Sequence, residues 1–149
     1  MDVDNQDVQE LSNDLVVLVA RLVREVRRHN TDVPAASTRL MSLLDELGPS
    51  TVSALAQADR CSQPTMTGLV NGLADKGWVA RTPHPGDARS SLVTMTDEGS
   101  QVLAAVRRTN AALVAGRIER SGRSTADLAT AVAVLSDLLS VDEHLVDAR

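Results

Sequence analysis

Across residues 62–99 the hydrophobic period changes three times, and that order leaves few architectures open to the chain. Ser62 is a candidate N-cap and Pro64 falls in the first turn. Met66, Leu69, Val70 and Leu73 then recur at helical spacing, and Gly77 stops the segment. The opposite face carries Gln63, Thr65, Thr67, Gly68 and Asn71, all small or uncharged and able to approach another surface closely. The pattern then alternates. Val79, Ala80 and Arg81 lead into Pro83-His84-Pro85-Gly86-Asp87, and Leu92, Val93, Thr94 and Met95 lead out. With Val93 and Met95 on one face, the spacing predicts a hairpin with a long loop, a wing.

The filling material restricts the fold further. Phe and Tyr are absent and Trp78 is the only aromatic among 149 residues, so Leu, Val, Ala and Met must build the core. Small aliphatic groups favour closely packed helices. No run approaches the roughly 18 apolar residues that span a bilayer. The acidic segment MDVDNQDVQE is unlike the basic start of a signal peptide, so a soluble cytoplasmic protein is expected. With Cys61 as the single cysteine no internal disulfide is available, which suits a reducing compartment.

Ahead of the central segment, Asp7 with Glu10 resembles a capping box, and Leu11, Leu15, Leu18, Leu22 and Val26 follow at helical spacing to about Arg28. Val16, Val17, Val19 and Val23 widen the apolar surface beyond one stripe, more than so small a central domain can cover. That excess implies a partner subunit. Arg21, Arg24, Arg27 and Arg28 gather near the C-terminal end, where the helix dipole favours positive charge. Pro34 opens a second helix with Leu40, Met41, Leu44 and Leu47, ended by Gly48-Pro49. A third begins at Ser50 or Thr51 and carries Val52, Leu55 and Ala56.

A short helix, a tight turn at Asp59-Arg60-Cys61 and a second short helix read as a helix-turn-helix, and the hairpin behind it strengthens the reading. Beyond the wing, Thr96 caps a fifth helix with Asp97 and Glu98 in its first turn. Its apolar stripe is Val102, Leu103, Val106, Leu113, Val114 and Ile118. Ser121-Gly122 breaks it, and Ser124 with Asp127 starts a sixth with Leu128, Val132, Leu135 and Leu139. The expected fold is mainly α with a small antiparallel β wing: a winged helix-turn-helix at 34–99, flanked by an N-terminal dimerisation helix within 1–33 and C-terminal dimerisation helices within 100–149.

The chain resembles the MarR family of winged helix-turn-helix regulators over nearly its whole length. The most specific likenesses are LADKGWVAR at 73–81, and Asp87-Ala-Arg89 followed by Val93-Thr-Met-Thr and Gly99. Met95 stands where Leu is commoner, Ala88 where the family often has a second Arg, and Gly68 where many relatives carry a basic residue. The resemblance implies a homodimer on a palindromic DNA operator, repression as the usual output, and derepression by a small molecule. The effector would sit between the dimer helices and the winged helix, with Leu22, Met41 and Leu44 lining its pocket, Arg24, Arg28 or His29 at the mouth, and Trp78 the only aromatic to stack on it.

Residue chemistry is compatible with that reading. The formal net charge is −5, yet residues 60–91 hold Arg60, Lys76, Arg81 and Arg89 against Asp75 and Asp87, a local +2. The helix opened by Ser62 and Pro64 fits a major groove about 12 Å wide. Its Gln63 amide suits adenine, Thr65 and Thr67 suit phosphate, base edges or a thymine methyl, and Gly68 and Asn71 complete the approaching face. Ser37, Thr38, Thr51 and Arg81 are candidate phosphate contacts, the hydroxyls doubling as ordinary helix caps. On a regular strand Asp87 and Arg89 point to the same side, so the carboxylate is expected to hold the guanidinium for a narrow minor groove.

No catalytic constellation is present, so no enzyme and no cofactor are expected. His29, His84 and His144 lie far apart without carboxylate or Cys at ligand spacing, which leaves no metal site. Cys61 reads as a small buried turn residue or as a redox-sensing thiol. The competing function class is a winged-helix protein-interaction module that binds no operator.

Overall fold

The computed structural model describes residues 2–29 and 32–140. His144, a candidate metal ligand by residue type, lies outside them. The elements in chain order are α1 (Asp2–Arg28), α2 (Ala35–Leu47), β1 (Ser50–Thr51), α3 (Val52–Ala58), α4 (Gln63–Asp75), β2 (Val79–His84), β3 (Asp87–Met95), α5 (Asp97–Ser121) and α6 (Thr125–Ser140). They fall into two compact units, residues 1–110 and 111–149.

In the first unit, α2, α3 and α4 pack around a three-stranded antiparallel sheet of order β1-β3-β2. The core is Leu40, Met41 and Leu44 of α2, Leu55 and Ala56 of α3, Met66, Val70 and Leu73 of α4, Val79 and Val93 of the sheet, and Leu103 of α5. The apolar stripe expected on α4 is thus the stripe that is buried. Trp78 packs half-buried at the margin, with the Lys76 ammonium 4.7 Å from the centre of its ring. Leu103 and Val106 place the first turns of α5 with the winged helix.

Local chemistry accounts for the boundaries. Thr51 caps α3 by accepting the Ala54 N–H at 3.2 Å, and Ser62 caps α4 by accepting that of Thr65 at 3.3 Å. Helix α4 ends in a Schellman motif: the Trp78 N–H reaches the Leu73 carbonyl and the Gly77 N–H that of Ala74, both at 2.9 Å, with Gly77 at φ 74°. Helix α3 ends in the same motif, through Cys61 N–H to Ala56 O and Arg60 N–H to Gln57 O, but the left-handed position is filled by an arginine, Arg60 at φ 52°. Thr96 Oγ1 accepts the Gly99 N–H at 3.1 Å and donates to the Gly77 carbonyl at 2.6 Å. A Cβ on Gly99 would lie 2.1 Å from the Trp78 carbonyl oxygen, so only glycine lets α5 start this close to the end of α4.

Three expectations are corrected. Helix α1 begins at Asp2, so Asp7 lies within it and is no cap: nothing between the two stops a helix, and elongation is favourable once a helix is nucleated. The two-residue strand β1 was not expected, because two residues carry no period and its partners Val93 and Leu92 are remote in sequence. The hairpin loop is short, since β2 continues to His84 and only Pro85 and Gly86 separate it from β3.

In the second unit the end of α5 turns at Gly122 into α6. Ser124 and Asp127 form the expected reciprocal box, Ser124 N–H to the Asp127 carboxylate at 3.0 Å and Asp127 N–H to Ser124 Oγ at 3.1 Å. Those bonds hold the Asp127 carboxyl below its ordinary pKa. No residue of α6 is buried, and Val132, Val134, Leu138 and Leu139 are exposed.

Candidate nucleic-acid interface

The turn between α3 and α4 is anchored from behind. Arg39 of α2 makes a two-pronged ion pair with Asp59, its Nε and Nη2 each donating to one carboxylate oxygen, the second at 2.9 Å. The Asp59 side chain is only 6% exposed. The hydrogen bonds from Arg39 hold its carboxyl below the ordinary range, and a contact from the Cys61 thiol acts in the same direction. Cys61 is half-buried against the core, as a small turn residue would be.

That anchor leaves the outer side of α4 exposed. Ser62, Gln63, Pro64, Thr65, Thr67, Gly68 and Asn71 are all exposed, and a Cβ on Gly68 would meet open space. Several of these side chains are already held by neighbours. Gln63 Nε2 donates to Ser53 Oγ at 2.7 Å, which ties the N-terminus of α4 to α3 and orients the amide. The Ser62 and Thr65 hydroxyls share a hydrogen bond of 2.7 Å. Ser53 was missed in the sequence because its partner lies ten residues away across the turn, at a distance set by folding alone.

The wing joins the same surface through Arg81. Its Nη2 donates to Asn71 Oδ1 at 3.0 Å and its Nη1 to Ser91 Oγ at 3.4 Å, so one exposed guanidinium bridges α4 and both wing strands. At the tip, Pro83 pairs with Ser91 but His84 pairs with Asp87, so three residues of β3, 88–90, bulge out opposite that step. Arg89 is in the middle of this bulge and is exposed. The expected Asp87–Arg89 side-chain pairing is not what forms: the Asp87 carboxylate accepts the backbone N–H of Arg89 at 2.9 Å. The bulge breaks the strand alternation on which that expectation rested. Asp87 therefore shapes the backbone that presents Arg89, and among the described residues the guanidinium has no ion-pair partner. His84 Nδ1 accepts the Gly86 N–H at 3.0 Å and closes the turn.

The remaining candidates separate by burial. Ser37 is 4% exposed inside the α2 layer, which removes it as a phosphate contact. Thr38 is half-buried, its hydroxyl donating to the Pro34 carbonyl at 3.4 Å, and Thr51 is held by its capping role. Met41 and Leu44, expected in an effector pocket, are 0% and 4% exposed and belong to the core. With Trp78 the only aromatic, the aliphatic groups of α2 are needed to fill that core. Leu22, Arg24 and Arg28 of α1 and His29 just after it are exposed; Arg28 pairs with Glu25 at 2.9 Å and His29 Nδ1 lies 2.9 Å from the Glu25 carbonyl.

A sequence model of the MarR family matches residues 33–91, from the loop before α2 into β3. An HTH-type transcriptional regulator of Mycobacterium bovis is 37% identical over 135 residues, 89% of this chain and 94% of that protein. The chain belongs to the MarR family. As a MarR-family protein it is a DNA-binding transcriptional regulator and not an enzyme. The HTH-type transcriptional repressor NicR of Pseudomonas putida is 29% identical over 103 residues, 62% of this chain and 65% of NicR. A MarR family protein from Bacillus stearothermophilus has the same fold, with a TM-score of 0.76 at 20% identity over 93% of this chain and 97% of that one. In this MarR-family chain no described helix is long and apolar enough to cross a membrane.

Proposed function

We propose that this MarR-family protein is a homodimeric repressor that binds a palindromic operator in the cytoplasm, with residues 34–99 contacting DNA and 1–33 and 100–149 holding the dimer together. One observation carries the reading: the exposed, uncharged face of α4 is bridged by Arg81 to a wing whose tip bulge presents Arg89. Thirteen residues make α4 about 20 Å long, so its N-terminal half enters the major groove. There Gln63, Thr65, Thr67 and Asn71 face the base edges, Gly68 allows close approach of the backbone, and Ser62 and Pro64 set the entry. Thr38, Thr51 and Arg81 lie toward phosphates, and Arg89 enters the flanking minor groove.

Two further observations support the finer parts. Val8, Leu11, Leu18 and Leu22 on α1, and Val132, Leu138 and Leu139 on α6, are 40–78% exposed, apolar surface of the kind that marks a protein–protein interface. NicR, similar over 103 residues, is named a repressor. For a small-molecule effector, the positions left after Met41 and Leu44 are consumed by the core are Leu22, Arg24 and Arg28 on α1 and His29 just after it, with Trp78 at the core margin.

Selection of bound fragments from random DNA tests the whole reading. A recovered palindrome with half-sites about one helical turn apart, bound with a steep salt dependence, is the expected result. Failure to enrich any sequence, together with salt-insensitive capture of a protein ligand, would leave the interaction-module reading in its place.

A further inference from the structure

Two side-chain amides stand on the exposed strip of α4, and the fold holds them by opposite ends. Gln63 Nε2 donates to Ser53 Oγ at 2.7 Å, so one of its two amide hydrogens is spent on α3. The second hydrogen and Oε1 remain, one donor and one acceptor. Asn71 is held the other way: its Oδ1 accepts from Arg81 Nη2 at 3.0 Å, and among the described residues both Nδ2 hydrogens are unspent. Ser53 is the second residue of α3 and Gln63 the first of α4. Because α3 has only seven residues and is about 10 Å long, the turn returns the chain close enough for a glutamine side chain to reach the start of α3. Ser53 and Gln63 are both exposed, so their bond satisfies no buried group and fills no gap in the core. What it fixes is the orientation of the amide.

We propose that Ser53 is a positioning residue that sets the base preference of Gln63, holding its amide so that it reads adenine. The inference rests on the operator-binding reading above and deepens it, naming the group that makes one contact specific. In the major groove adenine presents the N7 acceptor beside the N6 donor, which one amide hydrogen and Oε1 match. Guanine presents two acceptors, N7 and O6. A glutamine free to turn over can offer both of its hydrogens to that edge. With one hydrogen taken by Ser53 it cannot, and guanine would set an acceptor against Oε1. Holding the side chain before DNA arrives also lowers the ordering cost of binding. Asn71, held by its oxygen, keeps two donors and suits acceptor atoms instead, so the two amides on one strip read different edges. Ser53 carries no charge, so its effect is on base choice and not on the salt-dependent grip of the phosphates.

Binding of the full-length protein to the duplex recovered from random DNA, with each base pair replaced in turn by the other three, tests the role. The parent is expected to prefer adenine by about tenfold or more at one position of each half-site, and Gln63→Ala to remove that preference. Ser53→Ala is expected to cut the same preference to within about threefold, with every other position and the salt slope at parent values. Ser53→Thr keeps the hydroxyl and retains the preference. Adding Ser53→Ala to Gln63→Ala changes the profile no further, because the two residues act through one bond. Adenine preference that survives Ser53→Ala but not Gln63→Ala overturns the positioning role and leaves operator binding intact. So does a loss in Ser53→Ala spread evenly over all positions, or a profile that Gln63→Ala leaves unaltered. A parent protein that enriches no duplex overturns operator binding and this role together.

Discussion

The Arg81 guanidinium donates to the Asn71 side-chain oxygen at 3.0 Å, joining the wing to the exposed face of α4. The bond has two consequences. It ties together the two elements proposed to approach DNA, and it holds a positive charge at their junction. Arg81→Ala is expected to lower operator affinity by about tenfold at every sequence tested, and Asn71→Ala by a few-fold. Because the pair is exposed, unfolding free energies should move by less than about 1 kcal/mol in either variant. Gel-shift titrations beside urea denaturation check both statements.

Arg89 and Asp87 should fail in different ways. Arg89→Ala removes a cation from the bulged tip, so affinity falls and the slope of log K against log salt shrinks by about one per protomer, with the melting temperature unchanged. Asp87→Ala leaves the cation but frees the backbone that carries it. Asp87→Asn keeps an acceptor for the Arg89 N–H and should retain most of the affinity that Asp87→Ala loses. Equal loss in the Ala and Asn variants would remove the backbone role.

Gly99→Ala is expected to cost about 3 kcal/mol of stability, measured by chemical denaturation. The added methyl meets the Trp78 carbonyl oxygen at 2.1 Å and the Met95 side chain at 3.1 Å. Relief requires moving the start of α5, which also disturbs the Thr96 bond to Gly77.

Arg60→Gly should raise stability by about 0.5–1 kcal/mol. A left-handed arginine costs about 1–2 kcal/mol, part of which is returned as the greater chain entropy of unfolded glycine. The turn keeps its two Schellman bonds, so a higher unfolding midpoint with unchanged helix content is the result to look for.

Acid should weaken the anchor between Arg39 and Asp59. Since the folded-state pKa of Asp59 is lowered, its contribution is complete above the unfolded carboxylate value, about 3.9. It is lost as pH falls from there through the lower folded value. Arg39 is shifted upward from a value already far above that range and stays charged throughout. Asp59→Asn should therefore be less stable than the parent near neutrality, with the difference narrowing below about pH 4. Denaturation midpoints at pH 7 and pH 3 make the comparison.

Much of this is legible along the chain. Met66, Val70 and Leu73 announce the buried side of α4 by spacing, Ser62, Thr51 and Ser124 announce helix starts, and Gly77 announces a stop. Each signal is local: a cap needs a hydroxyl three residues from an N–H, and an amphipathic helix needs its own period. The exposed polar strip of α4 is legible for the same reason, as the complement of a buried stripe.

What escaped the sequence depends on distant partners. Asp87 looked like a side-chain partner for Arg89 until the three-residue bulge opposite His84 changed its direction. Met41 and Leu44 looked available for a ligand until packing placed them at 0% and 4% exposure. Gln63 looked free until α3 brought Ser53 to 2.7 Å.

The sequence by itself therefore determined the order of the helices and the hairpin, the ends that a cap or a glycine marks, and the identity of the apolar stripes, since period and caps act over one or two turns. Tertiary structure alone decided which polar groups of the candidate interface are held by a neighbouring element, Gln63 by Ser53 and Arg81 by Asn71. Hydrogen bonds and burial are settled between segments ten to sixty residues apart, and no local pattern encodes that separation.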